Sequence, residues 1–572
     1  MFIEFFIEIL SITVTQRNTH IKINNPLHFC SDTIIKYSPN IFFGIIYKRQ
    51  YRAKPHNSRY TVITQYFKCT KSLICSFNIR LNNAAHNISN INTKGYTRQS
   101  VSQEAGFAIR VYKPYGAVGT GVAMVDISQA RSQYYDERYR HNNAQCGQYE
   151  NLQTYSELVQ TYLDEFNTEG FIAEYNNLFK TIDALKSDPS SEVKRGQMLS
   201  YLSSVCNYFN TLSTNMQNTQ NDINEEIKSS VSSINTMAEQ IASLNKQINT
   251  IEASGGTAND LRDTRNLIVD QLSYYADVTV NEREIGNGVS DYTVTFNGQN
   301  IVTGYTYDTL QCVARETDKK RNASDAQGLY DIKWSNGNPY NPYEENGRGS
   351  LKALFDMRDG CNDSYEKVKT DANGNQSLEI VVDSYRNPSY KGIPYYQSQL
   401  NRFVTTLAKE FNDIITNGQL ADGTMNTEKL LVSKYDSNSY VTAGNISVNA
   451  DMISDLSKLP VSYDASRGEN PDMANDLYAL KDKVTIKSGT FWDFLSSMVS
   501  EISVDTKRAT SFSTNYSNVK GAIETQRTSI SGVDEDEEGV DLVKYKHAYD
   551  LSSKVISVMN QIYSKLIEET GL

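Results

Sequence analysis

Residues 202–248, LSSVCNYFNTLSTNMQNTQNDINEEIKSSVSSINTMAEQIASLNKQI, carry a long periodic pattern of apolar side chains. The pattern repeats every seven residues and shifts once by four, at Leu202, Phe209, Met216, Ile223, Ile227, Ile234, Ile241 and Ile248. Seven-residue spacing with one four-residue shift is typical of a coiled coil with a stutter. The inner face of a long helix in a bundle gives the same stripe. Because most such stripes pack in a core, we favour the bundle.

Both ends of the chain carry similar stripes. Apolar residues at spacings of four and three begin near residue 63 and end near Gly95. The C-terminal stripe consists of Leu542, Tyr545, Tyr549, Ile556, Met559, Tyr563 and Leu566. The acidic run 534–538 precedes it, and acidic side chains at a helix start favour the helix dipole. Each stripe is too narrow to form a core alone, so the ends need each other or neighbouring subunits.

The middle of the chain differs from both ends. Short strand-like stretches such as Tyr292–Phe296, followed by the turn dipeptide Asn297-Gly298, indicate β-hairpins. The sequence therefore predicts an α+β multidomain protein with a helical terminal domain built from both chain ends, a helical bundle and inserted β-rich outer domains.

The predicted domains follow in chain order. Residues 1–57 are an N-terminal extension, and residues 58–98 are an axial helix that pairs with 535–572. Residues 99–275 form a helical body with a short β-hairpin, and residues 276–480 form β-rich domains with a helical return near 394–417. Residues 481–534 form a second helical body, and residues 535–572 form the C-terminal axial helix.

Composition excludes several classes of protein. The 572 residues carry 56 Lys and Arg against 67 Asp and Glu, a net charge of −11, which argues against a nucleic-acid binder. No apolar run reaches the roughly 18 residues of a membrane span, and Met1–Thr15 lacks the basic start and the cleavage site of a signal peptide. The seven cysteines form no C-x-x-C pair, so we expect no disulfide framework and thiols that are either buried or without a chemical role.

No catalytic, metal or cofactor site is predicted. The sequence lacks Walker A, H-E-x-x-H and G-x-S-x-G motifs, and it has six scattered histidines. Asp371, Asn373 and Asn375 would supply oxygen ligands at positions 1, 3 and 5 of an EF-hand calcium-binding loop. Gln376 and Val382 stand where that loop requires Gly and Glu, so we expect a polar hairpin turn.

Two motifs resemble a known family. Residues 87–99, NISNINTKGYTRQ, resemble the N-terminal signature of flagellar axial proteins, and residues 259–265, NDLRDTR, resemble a helix start of the FlgK family of hook-associated proteins. Further matches at 349–359, 393–412 and 531–556 follow in family order. The predicted signature residues are Asn87, Asn90, Asn92, Thr93, Lys94, Gly95, Tyr96, Arg98, Gln99, Asn259, Asp260, Leu261, Asp263 and Arg265.

The resemblance covers about residues 70–572 and implies a non-enzymatic flagellar subunit in a thin ring that joins hook to filament. It implies export, unfolded and without a cleaved signal, through the flagellar type III apparatus to the hook–filament junction, after a cytoplasmic stage. The implied partners are further copies of the chain, the hook protein, a second hook-associated junction protein and a cytoplasmic chaperone bound near the C-terminus. It implies no cofactor, no nucleic acid and no membrane insertion.

Residues 1–57 depart from the family pattern. The first 80 residues hold eleven Lys and Arg against three acids. We interpret this stretch as upstream DNA or a shifted frame read as protein, with a genuine extension as the alternative. Three other functions stay open: a secreted adhesin that uses the β-rich middle, a hook or rod subunit, and a cytosolic coiled-coil scaffold. The scaffold leaves the ordered family matches unexplained, and the 259–265 motif disfavours the hook or rod subunit.

Overall fold

The computed structural model describes residues 58–110, 117–164, 169–316, 320–344, 347–371, 376–382, 389–435, 439–460, 462–464, 466, 470–486 and 489–570. The extension 1–57 lies outside the described residues. The chain divides into two compact units. The smaller draws on Met1–Ile74, Ala105–Val122 and Ser552–Leu572, and the larger on Cys75–Glu104 and Ala123–Leu551.

Helices provide most of the described structure, and the prediction of an α+β multidomain fold is confirmed. They are α1 (Ser58–Ser89), α2 (Gln133–Asp164), α3 (Glu169–Lys186), α4 (Glu192–Glu252), α5 (Asn259–Leu272), α6 (Ser350–Asp359), α7 (Ile393–Thr416), α8 (Ala450–Ser454), α9 (Asp472–Ala479), α10 (Phe491–Ser531) and α11 (Glu535–Thr570). A short 3-10 turn, Leu456–Lys458, follows α8.

Strands form small antiparallel sheets. They are β1 (Gln99–Ala105), β2 (Ile109–Arg110), β3 (Ala117–Val118), β4 (Val122–Gln129), β5 (Val278–Gly286), β6 (Val289–Phe296), β7 (Gln299–Thr303), β8 (Thr306–Tyr307), β9 (Leu310–Ala314), β10 (Tyr330–Trp334), β11 (Ser364–Thr370), β12 (Gln376–Val382), β13 (Leu431–Ser433) and β14 (Ile446–Val448). Strands β5 to β8 make one four-stranded sheet in chain order, and the others pair as β1–β4, β2–β3, β9–β10, β11–β12 and β13–β14.

Helix α4 is the spine of the larger unit. It runs for 61 residues, and all eight side chains of the predicted seven-residue stripe are 0% exposed. They face α3, α5, α6 and the strands rather than one parallel partner helix, so the bundle interpretation is confirmed. Burying each such side chain contributes about 1.5–3 kcal/mol, which makes this stripe a large share of the core.

Amide side chains attach the strands to the helices. Asn235 of α4 donates to the Leu310 carbonyl and accepts from the Leu310 N–H, both at 2.8 Å. Asn249 bonds both backbone groups of Ser290 on β6 at 2.7 and 3.0 Å. Asn412 of α7 does the same for Leu431 on β13. Each amide takes the place of a neighbouring strand and satisfies backbone groups that burial would otherwise leave unpaired.

Two short turns contain glycine where the backbone has a positive φ angle. Asn297 and Gly298 both have positive φ, 47° and 80°, and join β6 to β7 with Phe296 opposite Gln299. This is the predicted two-residue hairpin. In the smaller unit, the Ser72 hydroxyl bonds both backbone groups of Val122. Gly121 has a φ of 104°, and a Cβ there would lie 2.9 Å from the Ser72 oxygen, so this contact requires glycine.

Candidate functional site

The two family motifs, about 160 residues apart in sequence, meet in the larger unit. The Thr97 N–H and hydroxyl donate to the two carboxylate oxygens of Asp263 at 2.9 and 2.6 Å. The Gln99 amide donates to Asp260 at 2.8 Å. We name the set Asn87, Thr97, Gln99, Asn259, Asp260 and Asp263 the signature hub. Through these contacts the hub fixes the start of β1 against the start of α5.

Asn87 organises the N-terminal motif from inside. It is 0% exposed, donates to the Gln99 carbonyl at 3.0 Å and accepts from the Tyr96 hydroxyl at 2.7 Å and the Gln99 N–H at 3.1 Å. The amide suits this place because its nitrogen donates while its separate oxygen accepts two hydrogen bonds. Burial and then the charge of Asp260 raise the pKa of Tyr96, so the phenol stays protonated as the donor.

The middle of the motif is a surface turn. The Tyr96 N–H donates to the Thr93 carbonyl at 3.1 Å, and Gly95 has a φ of 84°. A Cβ on Gly95 would lie 3.2 Å from Leu267, so backbone and packing both require glycine. The exposed residues of the turn are Asn92, Thr93, Lys94 and Gly95, and Asn90 accepts from the Thr93 hydroxyl at 3.1 Å.

The second motif links α5 to its surroundings. The Asn259 amide donates to the Ile127 carbonyl at 2.8 Å, and Leu261 packs against a small apolar cluster around Ile248. Arg265 is 1% exposed, donates to Asn245 of α4 at 3.0 Å and lies 3.5 Å from the Tyr292 ring centre.

Glu282 on β5 supplies the counter-charge to Arg265 at 3.2 Å. Burial raises the pKa of Glu282, but the Arg265 and Arg262 guanidinium groups outweigh burial, and the net shift is downward. Arg265 therefore joins α5 to α4 and to the four-stranded sheet.

An ion-pair chain extends from the hub into the helices. Its alternating members are Asp263, Arg131, Asp136, Arg527, Asp270 and Arg140. Arg527 of α10 lies 2.9 Å from Asp136 of α2 and 2.6 Å from Asp270 of α5. Of these six residues only Asp263 was predicted, as part of the second motif. The other five were not predicted, because Arg527 lies more than 250 residues from its partners Asp136 and Asp270 and no local spacing marks the pairs.

Contacts of Arg98 join the C-terminal region, residues 531–538, to the N-terminal motif. The Arg98 N–H donates to the Ser531 carbonyl at 2.8 Å, and its guanidinium contacts Glu538 at 2.7 Å and Glu537 at 3.0 Å. Burial lowers the pKa of Arg98, but the hydrogen bonds with Glu538 and Glu537 prevail and the net shift is upward.

The acidic run 534–538 therefore has two roles. Asp534 accepts from the Asp536 and Glu537 N–H groups and so caps α11, as the helix-start interpretation predicted. Glu538, 3% exposed, is a buried partner for Arg98, which sequence analysis did not predict. We call Arg98, Glu537 and Glu538 the Arg98 clamp.

The predicted C-terminal stripe lies on a face of α11 that is only partly covered. Leu542 and Tyr545 are half-buried, and the Arg80 guanidinium of α1 lies 5.4 Å from the Tyr545 ring centre. Tyr549 is 37% exposed. In the smaller unit the side chains of Ile556, Met559 and Tyr563 are half-buried. The side chain of Leu566 lies outside those described.

A second apolar stripe runs along α11 and was not predicted. Its members are all exposed: Val540, Val543, Leu551, Val555, Val558 and Ile562. At 3.6 residues per turn they cover about one third of the helix circumference, centred about 120° around the helix from the first stripe. We call this set the outer stripe. A helix with apolar side chains on two different faces can pack against a partner on each of them.

Other kinds of site do not emerge from the described residues. Among them, no group of three or more His, Cys, Asp or Glu side chains is placed to hold a metal ion. Every helix within the described ranges is too short or too polar to cross a membrane.

Comparison with known proteins matches this architecture. Residues 156–429 match the family model of the flagellar hook-associated protein FlgK helical domain, and residues 524–569 match the flagellar basal body rod FlgEFG protein C-terminal model. Flagellar hook-associated protein 1 of Bacillus subtilis is 24% identical over 514 residues, which cover 86% of this chain and 95% of that protein. The Escherichia coli protein of the same name is 25% identical over 547 residues, with 85% and 96% covered. The chain belongs to the FlgK family of flagellar hook-associated proteins.

A solved structure shows the same fold. The flagellar hook junction protein FlgK from Burkholderia pseudomallei aligns with a TM-score of 0.53 and 13% identity, over 69% of this chain and all of that one. Membership of this family makes the chain a structural flagellar protein that associates with other axial proteins, and it does not favour the secreted adhesin.

Proposed function

We propose that the chain is a non-catalytic subunit of the junction between hook and filament and that filament assembly requires it. The observation that carries this proposal is the outer stripe of α11. Its six exposed apolar side chains are too many and too regularly spaced for a helix that faces only water. The Arg98 clamp holds the start of α11 within the larger unit.

The first partner we propose is a ring of like copies. Contacts between unlike faces of identical subunits generate rings or helical arrays, and α11 has two unlike apolar faces. Further proposed partners are the hook protein on one side of the ring and a second hook-associated junction protein on the other. A cytoplasmic chaperone would cover the C-terminal region, including the outer stripe, before unfolded export through the flagellar type III apparatus.

Deletion of the gene tests this function. The mutant is expected to assemble hooks that lack filaments and to release filament subunits into the medium, and the full-length chain supplied in trans is expected to restore filaments. Electron microscopy of cells and immunoblots of culture medium measure the two effects. Filaments of normal number and length on the deletion mutant would refute the proposal.

A further inference from the structure

A cleft of about 450 Å³ lies beside the signature hub, within the larger unit. One wall is the surface turn of residues 91–97, and the other is the end of α10 and the residues after it, 520–533. Tyr139 and Asn143 of α2 and Leu267 of α5 also line it. No function described above uses this cleft.

Two of the cationic side chains that line the cleft are not neutralised by the chain itself. The lining contains Lys94, Arg131, Lys520 and Arg527. The two arginines belong to the ion-pair chain described above, where Asp263, Asp136 and Asp270 neutralise them. Among the described residues, Lys94 and Lys520 have no carboxylate within 4.0 Å.

The backbone of the turn adds hydrogen-bond donors. Within the described ranges, the N–H groups of Lys94 and Gly95 have no acceptor, because the turn is closed by the Tyr96 N–H instead. Successive free N–H groups next to a residue of positive φ form a concavity that binds anions. A carboxylate accepts from such donors and from ammonium groups more strongly than a neutral oxygen does.

We propose that this cleft binds a carboxylate side chain presented by a second copy of the chain. The proposal rests on the proposed ring of like copies, and charge complementarity selects the occupant. The chain has a net charge of −11, and the first 80 residues are basic, so the rest of each copy presents a more acidic surface than the total indicates. The contact joins two different surfaces, as a ring of identical subunits requires.

Photo-crosslinking tests the proposal in assembled flagella. A photoreactive benzoylphenylalanine replaces Thr93, which is exposed and lines the cleft. After irradiation of isolated hooks with filaments attached, mass spectrometry is expected to find a crosslink to an Asp- or Glu-containing peptide from another copy of the chain. Crosslinks only to a different flagellar protein, or none in normally assembled junctions, would overturn the cleft proposal and leave the proposed function intact.

Charge reversal gives a second readout. The double variant Lys94→Glu/Lys520→Glu is expected to reduce the number of hooks that carry filaments by about tenfold, since like charges now meet across the contact. Lys409→Glu, an exposed lysine of α7 outside the cleft, is the matched control and is expected to behave as wild type. Wild-type filament numbers with the double variant would contradict the proposal. Absence of the wild-type chain from junctions would instead refute the proposed function.

Discussion

Single residues explain why the two family motifs contain the side chains they do. Asn87 is buried and satisfies three hydrogen bonds, and Asp263 accepts from both donors of Thr97. The sequence identified both residues by resemblance, but it did not show that they belong to one hub. Arg131 and Arg527 were missed. Their contacts with Asp263 and Asp136 join positions 132 or more residues apart, and the five-residue spacing from Arg131 to Asp136 is not one that marks a helical pair.

Asp263→Ala tests the hub at this scale. The change leaves the Thr97 N–H without an acceptor and removes one partner of Arg131, which we expect to cost about 2 kcal/mol. Hydrogen exchange at the Thr97 amide is the measurement, and about thirtyfold faster exchange is expected. Glu239→Ala, at an exposed position of α4, is the control. Unchanged protection of Thr97 would show that Asp263 does not hold the motif.

A buried carboxylate on strand β11 predicts a pH dependence of the stability. Glu366 is 4% exposed and accepts from Asn401 of α7 at 2.8 Å and from the Ser324 hydroxyl at 3.2 Å. Burial raises its pKa to about 7, above the 4.5 of an unburied glutamate. The folded state therefore binds the Glu366 proton more tightly than the unfolded state, and stability is lost as the pH rises from 4.5 to about 7.

Glu366→Gln removes this titration. At pH 8 the variant is expected to exceed wild type in free energy of unfolding by an amount on the order of 3 kcal/mol, and at pH 4.5 the difference is expected to vanish. Urea unfolding at a series of pH values measures it. The comparison cancels the titration of Asp356, whose pKa is also raised by burial, because it occurs in both proteins. A difference that stays constant with pH would contradict the assignment.

At the scale of elements, apolar periodicity predicted helices and their buried faces, whereas polar contacts between elements could not be predicted from the sequence. The seven-residue stripe of α4 predicted both the helix and its buried face, because burial of a helix depends on local spacing. The amide contacts of Asn235 and Asn249 could not be predicted, since their partners lie 75 and 41 residues away. On α11 the regular spacing of three and four residues predicted the first stripe. It did not predict the outer stripe, which consists mostly of valines.

Asn249→Ala tests the amide attachment. The N–H and carbonyl of Ser290, which is buried, lose their hydrogen bonds with the Asn249 amide. We expect the free energy of unfolding to fall by about 2 kcal/mol. Hydrogen exchange of the β6 amides is expected to increase by about tenfold or more, while α2 is unaffected. Thr250→Ala changes the next residue on the exposed face and serves as the control. Equal exchange in both variants would show that the sheet does not depend on this amide.

Val558→Asp tests the outer stripe. Val558 is 53% exposed, so the variant is expected to fold with unchanged helix content. In the assembled ring the carboxylate would be buried without a partner, which costs several kcal/mol and should abolish filaments. Ser557→Asp adds the same charge at the adjacent exposed position outside the stripe and should assemble normally. Circular dichroism and filament counts measure the two effects, and motile cells with Val558→Asp would exclude the stripe as a contact.

On the scale of the whole molecule, the signature hub joins the N-terminal motif to α5, and the Arg98 clamp joins the same motif to the start of α11. The narrow terminal stripes predicted that the ends need partners, and the structure adds a specific connection through the Arg98 clamp. The sequence explains most of the acidic run by the start of a helix, because the helix dipole is a local effect, whereas the ion pair with Arg98 is not local. The family resemblance supplied the function, which periodicity and composition could not.

An Arg98→Glu/Glu538→Arg exchange tests this connection. Arg98→Glu alone places a third carboxylate beside Glu537 and the buried Glu538, and is expected to speed proteolysis between α10 and α11. The double exchange is expected to recover much of the protection, with a coupling energy of about 1–3 kcal/mol. Arg283→Glu, whose side chain is 78% exposed, controls for the added negative charge. Lack of recovery in the double variant would argue against a direct pair.

The location of the chain in the flagellum tests the central claim most directly. Isolated flagella with hooks attached are labelled with gold-conjugated antibodies raised against this chain and examined by electron microscopy. We predict label in a narrow band where the hook meets the filament, and none along the filament. Label spread along the filament or the cell surface, with none at the junction, would contradict the account.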